Sequence, residues 1–280
     1  MRLDFEIEGV TKSVIVPDEE QFFFGDDIIL SNKETDVTYK FDWYQNGFTV
    51  EKFLTDDEFN FVRFGIEDSI KNIISKTLNI NVEKFNLEEY HKFVKNDDDH
   101  FKIVSQTRDL FTKDFIFDID YLIPKLENIL NIKITDYDKL NNYKSHIIVR
   151  INRPNSSDFN PPHKDIYEHF DDEKYIPKFI NFWIPICGVS KESVLPICPK
   201  SHLIPENKIL RTVYGSNVNG NKYRVRLIKN WDNNNSLIKP IINYGEVLMF
   251  SSHLIHGFSL NEQNDKTRVA LEFRLYENLQ

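Results

Sequence analysis

Only two cysteines occur in the chain, Cys187 and Cys198, and they are too few for a disulfide scaffold. Both fall in apolar stretches that resemble strands, so we expect buried thiols. Basic residues are also in the minority, because 35 lysines and arginines face 44 aspartates and glutamates and give a formal net charge of −9. A general nucleic-acid binder normally carries a basic excess. The composition therefore argues against a disulfide-rich protein and against a nucleic-acid-binding protein.

Long apolar runs are missing as well. The N-terminal residues contain no apolar segment of the kind that a signal peptide needs. No run approaches the roughly 20 apolar residues of a membrane-spanning helix. We also find neither an internal repeat nor a linker between independent domains. These absences predict a single cytoplasmic domain over residues 1–280, without a membrane partner, and they leave the oligomeric state open.

Aromatic residues, in contrast, are plentiful, and the 23 phenylalanines and 12 tyrosines suit a packed core rich in strands. Residues 1–45 alternate apolar and polar side chains in short runs, which predicts strands. Thr55 and Glu58 have the spacing of a capping box and predict the start of a helix. Apolar residues then recur at helical spacing over residues 59–78, so this helix should cover the outside of a sheet. Residues 46–143 are predicted to form a helical support region.

Short stretches of strand-like sequence, broken by glycine, proline and asparagine, follow from about residue 144. This pattern is typical of a sandwich or a barrel. Residues 144–277 should therefore form the core of the fold, with an insertion at about 206–240. The sequence N-D-D-D-H at residues 96–100 has no other ligands at a suitable spacing, so we interpret it as a solvated loop rather than a metal site.

The segment 160–167 reads N-P-P-H-K-D-I-Y and places His163 two residues before Asp165. In an extended segment, residues two apart point to the same side, so the imidazole and the carboxylate would converge. They would supply two thirds of the 2-His-1-carboxylate triad of non-haem Fe(II) oxygenases. An H-x-D pattern is weak evidence by itself, because it often occurs by chance. The interpretation therefore depends on a third ligand.

A third ligand is available in the stretch 245–275. His256 precedes a glycine and a polar loop there, and we favour it over His253, which we expect to have a structural role at the end of a strand. Arg268 lies twelve residues after His256 and opens a strand with alternating side chains. Its guanidinium group suits a dicarboxylate cosubstrate, because the planar fork can bind a carboxylate through two hydrogen bonds.

These motifs resemble those of the phytanoyl-CoA dioxygenase-like branch of the Fe(II)- and 2-oxoglutarate-dependent oxygenases. The resemblance covers about residues 44–275. Its matching pieces are N-G-F-T-V at 46–50, H-K-D at 163–165, W-I-P-I at 183–186, P-K-S-H at 199–202, and H-G at 256–257 followed by Arg268. Within that branch the chain looks most like the group named after the streptomycin-biosynthesis protein StrG. The spacing from His256 to Arg268 is one residue longer than the family's commonest spacing, which leaves Arg274 as an alternative.

The resemblance implies Fe(II) held by His163, Asp165 and His256, with 2-oxoglutarate and O2 as cosubstrates and Arg268 on the distal carboxylate. It also implies hydroxylation of a small-molecule substrate, with release of succinate and CO2. The loose similarity to the streptomycin-associated group suggests a small polar metabolite, sugar-like or anionic. Relatives that halogenate carry a small residue in place of the ligand carboxylate, so Asp165 disfavours halogenation. Desaturation, ring closure and epimerisation remain open.

Together with the short strands, this ligand placement predicts a mainly β fold with a helical layer (α+β), whose core is a double-stranded β-helix of the jelly-roll, cupin-like type. A non-catalytic jelly-roll protein that binds a metal or a sugar, or a cupin-type isomerase, would share this architecture and stays the alternative.

Weaker patterns suggest further contacts. Trp183 matches an aromatic residue that lies near the cosubstrate in the family, and Asn181 shares its face of a predicted strand. Six basic residues and no acidic one occur over residues 208–229, which predicts either a lid that covers the iron and receives an anionic or hydroxyl-rich substrate, or a solvated face. The candidates for substrate contact are Arg150, Asn152, Arg224 and Arg226.

Overall fold

The computed structural model describes residues 1–169 and 176–278. The helices are α1 (Asp56–Leu78), α2 (Tyr90–Phe93), α3 (Asp97–Thr107) and α4 (Leu122–Leu130). The strands are β1 (Arg2–Ile7), β2 (Val10–Ile15), β3 (Phe22–Phe24), β4 (Phe48–Lys52), β5 (Ile134–Thr135), β6 (Tyr137–Asp138), β7 (Tyr143–Lys144), β8 (Ile148–Asn152), β9 (Phe179–Cys187), β10 (Ile209–Thr212), β11 (Ser216–Val218), β12 (Asn221–Tyr223), β13 (Ile228–Trp231), β14 (Ser236–Leu237), β15 (Glu246–Ser251) and β16 (Arg268–Glu277). Short 3-10 helices connect several of them, including Val37–Lys40, Asp42–Gln45 and Asp165–His169.

The largest sheet has six antiparallel strands in the order β4-β15-β9-β16-β5, with β8 paired to β16 as well. β9 is buried along its whole length, and β16 is the longest strand. β16 alternates as its sequence predicts. Its apolar side chains at Val269, Leu271, Phe273 and Leu275 belong to the core on one face. The residues between them therefore face the opposite side of the sheet.

The helices cover the apolar face of this large sheet. α1 begins with the predicted capping box, in which Thr55 accepts a hydrogen bond from the Glu58 main chain and the Glu58 side chain reaches back to Thr55. Its isoleucines at positions 66, 70 and 74 are fully buried and join one core with the apolar face of β16. Each such side chain stabilises the fold by about 1.5–3 kcal/mol through burial. The predicted role of this helix is confirmed.

The layer opposite the large sheet is irregular where the candidate site lies, and isolated bridges join its segments there. His163 pairs with His256, and Ile197 pairs with both His256 and Ile238. The main-chain N–H of Ile228 in β13 donates to the Pro162 carbonyl and extends the layer on its other side. The fold is therefore mainly β with a helical portion, and the predicted jelly-roll class is confirmed. Over the described ranges the sheets do not close into a barrel.

Two stretches differ from their predicted secondary structure. Strands occupy residues 1–45 only as far as β3, because 3-10 helices follow at 37–45 and the Asp36 side chain caps the first of them. The 96–100 segment is not a loop. Asn96 caps α3 by accepting a hydrogen bond from the main chain of Asp99, and the acidic residues fill the first helical turn, where the helix dipole favours them. No helix of the described ranges is long and apolar enough to cross a membrane.

Candidate metal centre

Three side chains converge between the two layers, as their spacing predicts. The ligand atoms of His163, Asp165 and His256 all lie within 4.8 Å of one another, and all three residues are buried. His163 Nε2 is 3.4 Å from Asp165 Oδ1, and His256 Nε2 is 3.7 Å from Asp165 Oδ2. One cation between them could contact one atom of each side chain. The chemistry of this donor set, two imidazoles and a carboxylate, suits Fe(II).

The backbone brings the three residues together in two ways. His163 and His256 exchange main-chain hydrogen bonds of 2.9 and 3.0 Å across an antiparallel bridge, which places their rings side by side with centroids 4.3 Å apart. The sequence suggested an extended segment through Asp165. In the structure, Asp165 is instead the first residue of a 3-10 helix. Lys164 still points away from the other two, because its Nζ donates to Glu206 in the protein interior. The alternation therefore holds although the chain turns after Lys164.

Main-chain carbonyls fix which nitrogen of each imidazole carries hydrogen. His163 Nδ1 lies 2.7 Å from the Pro161 carbonyl oxygen, and His256 Nδ1 lies 3.0 Å from that of Leu254. Since a carbonyl only accepts, both Nδ1 atoms donate and both Nε2 lone pairs face Asp165. Burial and the neighbouring His163 lower the pKa of His256 to about 4. His256 is therefore neutral at neutral pH, as a metal ligand must be.

Asp165 has a cationic partner. Arg274 Nη2 donates to Asp165 Oδ1 over 2.8 Å. Burial alone would raise the pKa of this carboxyl group, but the charges of Arg274 and His256 hold its pKa well below the ordinary value. Asp165 is therefore ionised and acceptor-only, and its second oxygen, Oδ2, faces His256.

A cavity adjoins the three side chains. Asn152, Asn181 and Trp183 line it, and each has a buried side-chain atom without a hydrogen-bond partner in the described ranges. These atoms are Asn152 Oδ1, Asn181 Nδ2 and Trp183 Nε1. A buried polar group left unpaired costs about 1–3 kcal/mol. The cavity wall is therefore suited to a polar ligand.

Arg268 is fully buried just behind this wall. Its Nη2 donates to the Ser259 hydroxyl group, and its guanidinium carbon lies 5.7 Å from the centre of the Trp183 ring. Ser259 and Trp183 both line the cavity. Arg268 Nε and Nη1 are buried and have no hydrogen-bond partner among the residues that the structure describes. Burial lowers the pKa of Arg268 to about 9, which still leaves it charged at neutral pH. An anion is the partner that this group lacks.

The family model described as phytanoyl-CoA dioxygenase (PhyH) matches residues 43–270. The chain belongs to the phytanoyl-CoA dioxygenase family. It is therefore a non-haem iron oxygenase that depends on 2-oxoglutarate, and its cofactor and cosubstrates are Fe(II), 2-oxoglutarate and O2. The two Arg268 donors that have no partner in the described part of the chain, and the two-histidine, one-carboxylate cluster, agree with this chemistry. The finer resemblance to the streptomycin-associated group stays a prediction.

Several solved structures are similar in fold to this family member at low sequence identity. EctD from S. alaskensis, with 2-oxoglutarate and 5-hydroxyectoine, is 12% identical with a TM-score of 0.46, covering 94% of this chain and 86% of that chain. AviO1 from Streptomyces viridochromogenes Tue57 is 12% identical with a TM-score of 0.44, covering 84% and 91%. The non-haem monooxygenase ThoJ is 12% identical with a TM-score of 0.48, covering 84% and 75%. No curated protein matches the chain.

Arg150 lines the cavity of this oxygenase but is already paired. Its Nε and Nη2 donate to the two carboxylate oxygens of Glu272 over 2.6 and 2.7 Å. Glu272 was not among the predicted site residues, although its position between Arg268 and Arg274 on the polar face of β16 would have indicated it. Ser259 was missed too, because nothing in its local sequence distinguishes it from other loop serines.

The structure separates the two predicted arginines of the insertion. Arg224 is exposed and lines a second cavity, which shares Arg150 and Arg274 with the first. Arg226 is buried under Tyr214, with its guanidinium carbon 6.0 Å from the ring centre, and lies outside the described linings of both cavities. The chain bends at Arg224, so the two side chains do not share a face as they would in a strand. Substrate contact by Arg226 is therefore not what the structure indicates.

Two other histidines hold loops near the centre. His253 Nε2 lies 3.2 Å from the Thr35 carbonyl oxygen, and His202 Nε2 lies 2.7 Å from that of Tyr44. Both rings are buried, and burial lowers the pKa of each. They tie the segment 35–44 to the irregular layer, and His253 has the structural role expected for it.

Proposed function

We propose that His163, Asp165 and His256 ligate Fe(II) in this enzyme, through the two Nε2 atoms and a carboxylate oxygen. The observation that carries the proposal is their convergence within 4.8 Å, with both Nδ1 hydrogens committed to carbonyl groups. Three protein ligands leave coordination positions open for cosubstrate and oxygen. When bound, iron with 2-oxoglutarate and O2 supplies the oxidant that converts a substrate C–H group into C–OH, and 2-oxoglutarate leaves as succinate and CO2.

Arg268 is the proposed anchor for the distal carboxylate of 2-oxoglutarate. Its Nε and Nη1 donors have no hydrogen-bond partner among the described residues, and within those residues no carboxylate forms an ion pair with it, although the charge of the nearby Glu272 partly offsets the lowering of its pKa by burial. Arg274, the alternative, already donates to the proposed ligand Asp165. Charge complementarity in a dry site therefore favours Arg268 as the anchor.

Asn152, Asn181 and Trp183 are proposed to complete the cosubstrate site. Asn181 Nδ2 and Trp183 Nε1 are donors that find no partner within residues 1–169 and 176–278, and 2-oxoglutarate brings five acceptor oxygens. Pairing removes the penalty of leaving these groups buried and unpaired. The two residues lie on the same face of β9, and β9 is paired with β15 on one side and β16 on the other. The central strands of the large sheet would therefore hold the cosubstrate rigidly.

Hydroxylation of a small polar metabolite is the reaction we propose. Asp165 occupies the position at which a halogenating relative would lack a carboxylate, and the cavity wall carries ionic and amide groups among its aromatic and aliphatic side chains. Membership of the family favours an oxygenase over the non-catalytic binding protein and the cupin-type isomerase.

The test is anaerobic addition of Fe(II) and 2-oxoglutarate to metal-free protein, following the visible charge-transfer band of the chelate. The wild type should develop the band, and Arg268→Ala should need at least about a hundredfold more 2-oxoglutarate, because breaking a buried ion pair costs roughly 3–5 kcal/mol. Arg274→Ala is the matched control at saturating Fe(II), and its 2-oxoglutarate dependence should stay close to that of the wild type.

Two results would contradict the proposal. If the wild type binds Fe(II) without developing the band, the cosubstrate does not chelate this metal. If Arg274→Ala, rather than Arg268→Ala, raises the 2-oxoglutarate requirement, the anchor is Arg274.

A further inference from the structure

The second cavity, which we call the vestibule, adjoins the inner cavity at the candidate metal centre. Its wall includes Arg108 at the end of α3, and Lys222 and Arg224 at the end of β12. It shares Arg150, Asn160 and Arg274 with the inner cavity. The two spaces therefore lie side by side and share part of their wall, which places the vestibule next to the cavity of the triad.

The vestibule is strongly cationic in a chain whose net charge is −9. Five lysines and arginines line it, against Asp109 as the one carboxylate among its described lining residues. Arg150 is neutralised by Glu272, and Arg274 by Asp165. Arg108, Lys222 and Arg224 form no ion pair with any residue in the described ranges. Three positive charges thus line this space without an ion-pair partner among the residues that the structure describes.

Arg108 is the strongest indication that the vestibule binds an anion, because its side chain is only partly exposed to solvent. Its Nε is buried and has no hydrogen-bond partner in the described parts of the chain. Burial, reinforced by the charge of Arg150, lowers the pKa of Arg108 to about 10, so the guanidinium still carries its charge at neutral pH. A charged group that has lost part of its hydration and found no protein partner gains most from a ligand of opposite charge.

We propose that the vestibule binds an anionic group of the substrate, a carboxylate or a phosphate, through Arg108 and Arg224, with Lys222 adding a third charge. The substrate is then an acidic metabolite whose anion stays in the vestibule while its reacting carbon lies in the inner cavity. This inference rests on the proposed iron centre and names the substrate class for that centre. Arg150 and Arg274, each already paired, would form the boundary between the two spaces.

Anion binding to the protein loaded anaerobically with Fe(II) and saturating 2-oxoglutarate tests the proposal. The loaded state keeps the cosubstrate pocket occupied, so an added anion has to find another site. The probes are inorganic phosphate and acetate, titrated by calorimetry at an ionic strength held constant with sodium chloride. The preferred probe distinguishes a phosphate-bearing substrate from a carboxylate-bearing one.

Arg108→Gln and Arg224→Gln should each weaken binding of the preferred probe by about tenfold to a hundredfold, as expected for a lost charge-assisted hydrogen bond. Arg108→Lys keeps the charge and should restore part of the affinity. Arg2→Gln, which removes an exposed arginine of β1, is the matched control and should bind as the wild type does. Equal probe binding in all variants, or no saturable binding in the wild type, overturns the vestibule as an anion site.

The charge-transfer band in the same samples separates this inference from the proposed function. If the band is normal and the Arg108 and Arg224 variants bind the anion as the wild type does, the vestibule is overturned as an anion site and the iron centre is retained. Absence of the band, with anion binding that still depends on both arginines, overturns the iron centre and supports the vestibule as an anion site.

Discussion

At the scale of single residues, the candidate centre orients its histidines by purely local means. Each Nδ1–H donates to the carbonyl group two residues earlier, Pro161 for His163 and Leu254 for His256. Metal-bound histidines generally use a carboxylate, a carbonyl or a water for this purpose. Because the acceptor here belongs to the same short segment as the ring, the tautomer depends on the backbone shape and not on a distant side chain.

Asp165, in contrast, depends on a distant residue, and this gives a prediction for Arg274. In the wild type, the charge of Arg274 holds the Asp165 carboxylate in place and keeps its pKa low. Replacing Arg274 with Gln removes that charge. We expect the affinity for Fe(II) to fall by about tenfold to a hundredfold, as for other groups that orient a metal ligand. Anaerobic metal titration measures this affinity directly.

Arg268→Gln is the control for that titration, because Arg268 contacts Ser259 and Trp183 but not the triad. Its affinity for Fe(II) in the absence of 2-oxoglutarate should match that of the wild type. Equal affinities in all three proteins would show that Asp165 is oriented without Arg274.

At the scale of elements, sequence periodicity predicted the features that depend on residues close together in the chain. The α1 capping box and stripe and the alternation of β16 are local patterns, and both occur as expected. The 3-10 helix at Asp165–His169 was not predicted, because a turn of this length leaves no periodic signal. The irregular layer was not predicted either, since its bridges join single residues that are far apart in the chain.

The bridge between His163 and His256 brings Gly257 close to the main chain of the segment before His163, which gives a testable prediction. Gly257 has φ of +129°, and a Cβ atom there would lie 2.5 Å from the Pro161 carbonyl oxygen. That carbonyl is the acceptor for His163 Nδ1. Gly257→Ala should therefore lower the free energy of unfolding by about 1–3 kcal/mol through backbone strain and should also weaken Fe(II) binding, because the clash falls on the group that orients a ligand.

Gly220→Ala separates the two effects in the same assays. Gly220 also has positive φ, at +81°, but a Cβ atom there would have no neighbour within 4 Å. Urea unfolding of this variant should report a strain penalty, while its affinity for Fe(II) should stay unchanged. If Gly257→Ala binds Fe(II) as tightly as Gly220→Ala does, the bridge tolerates the clash without disturbing the histidine.

At the scale of the whole molecule, the convergence of the three candidate ligands was predictable, but the space around them was not. The triad and Arg268 belong to short motifs with recognisable spacing. The vestibule instead combines the end of α3 with the end of β12, and no local pattern connects Arg108 with Arg224. The excess of basic residues over 208–229 indicated part of it, although Arg211 of that segment turned out to be paired with the buried Glu206.

Acid should destabilise the whole molecule through buried neutral histidines. Burial lowers the pKa of His202 from 6.5 to about 4, and it lowers the pKa of His253 in the same direction. Between pH 6.5 and about 4, His202 is protonated in the unfolded chain but not in the folded chain. Stability is therefore lost as the pH falls below 6.5. Lowering the pH from 7.5 to 5.5 should then remove about 1.4 kcal/mol through His202 alone.

His202→Gln isolates that contribution, because the amide can still donate to the Tyr44 carbonyl group and does not titrate. Urea unfolding of the metal-free proteins at both pH values gives two stability differences. The difference for His202→Gln should be smaller than that for the wild type by about 1.4 kcal/mol, whatever the absolute stability of the variant. If both proteins lose the same stability between pH 7.5 and 5.5, His202 is not the group that excludes the proton, and the acid sensitivity has to be assigned to other buried groups such as His253.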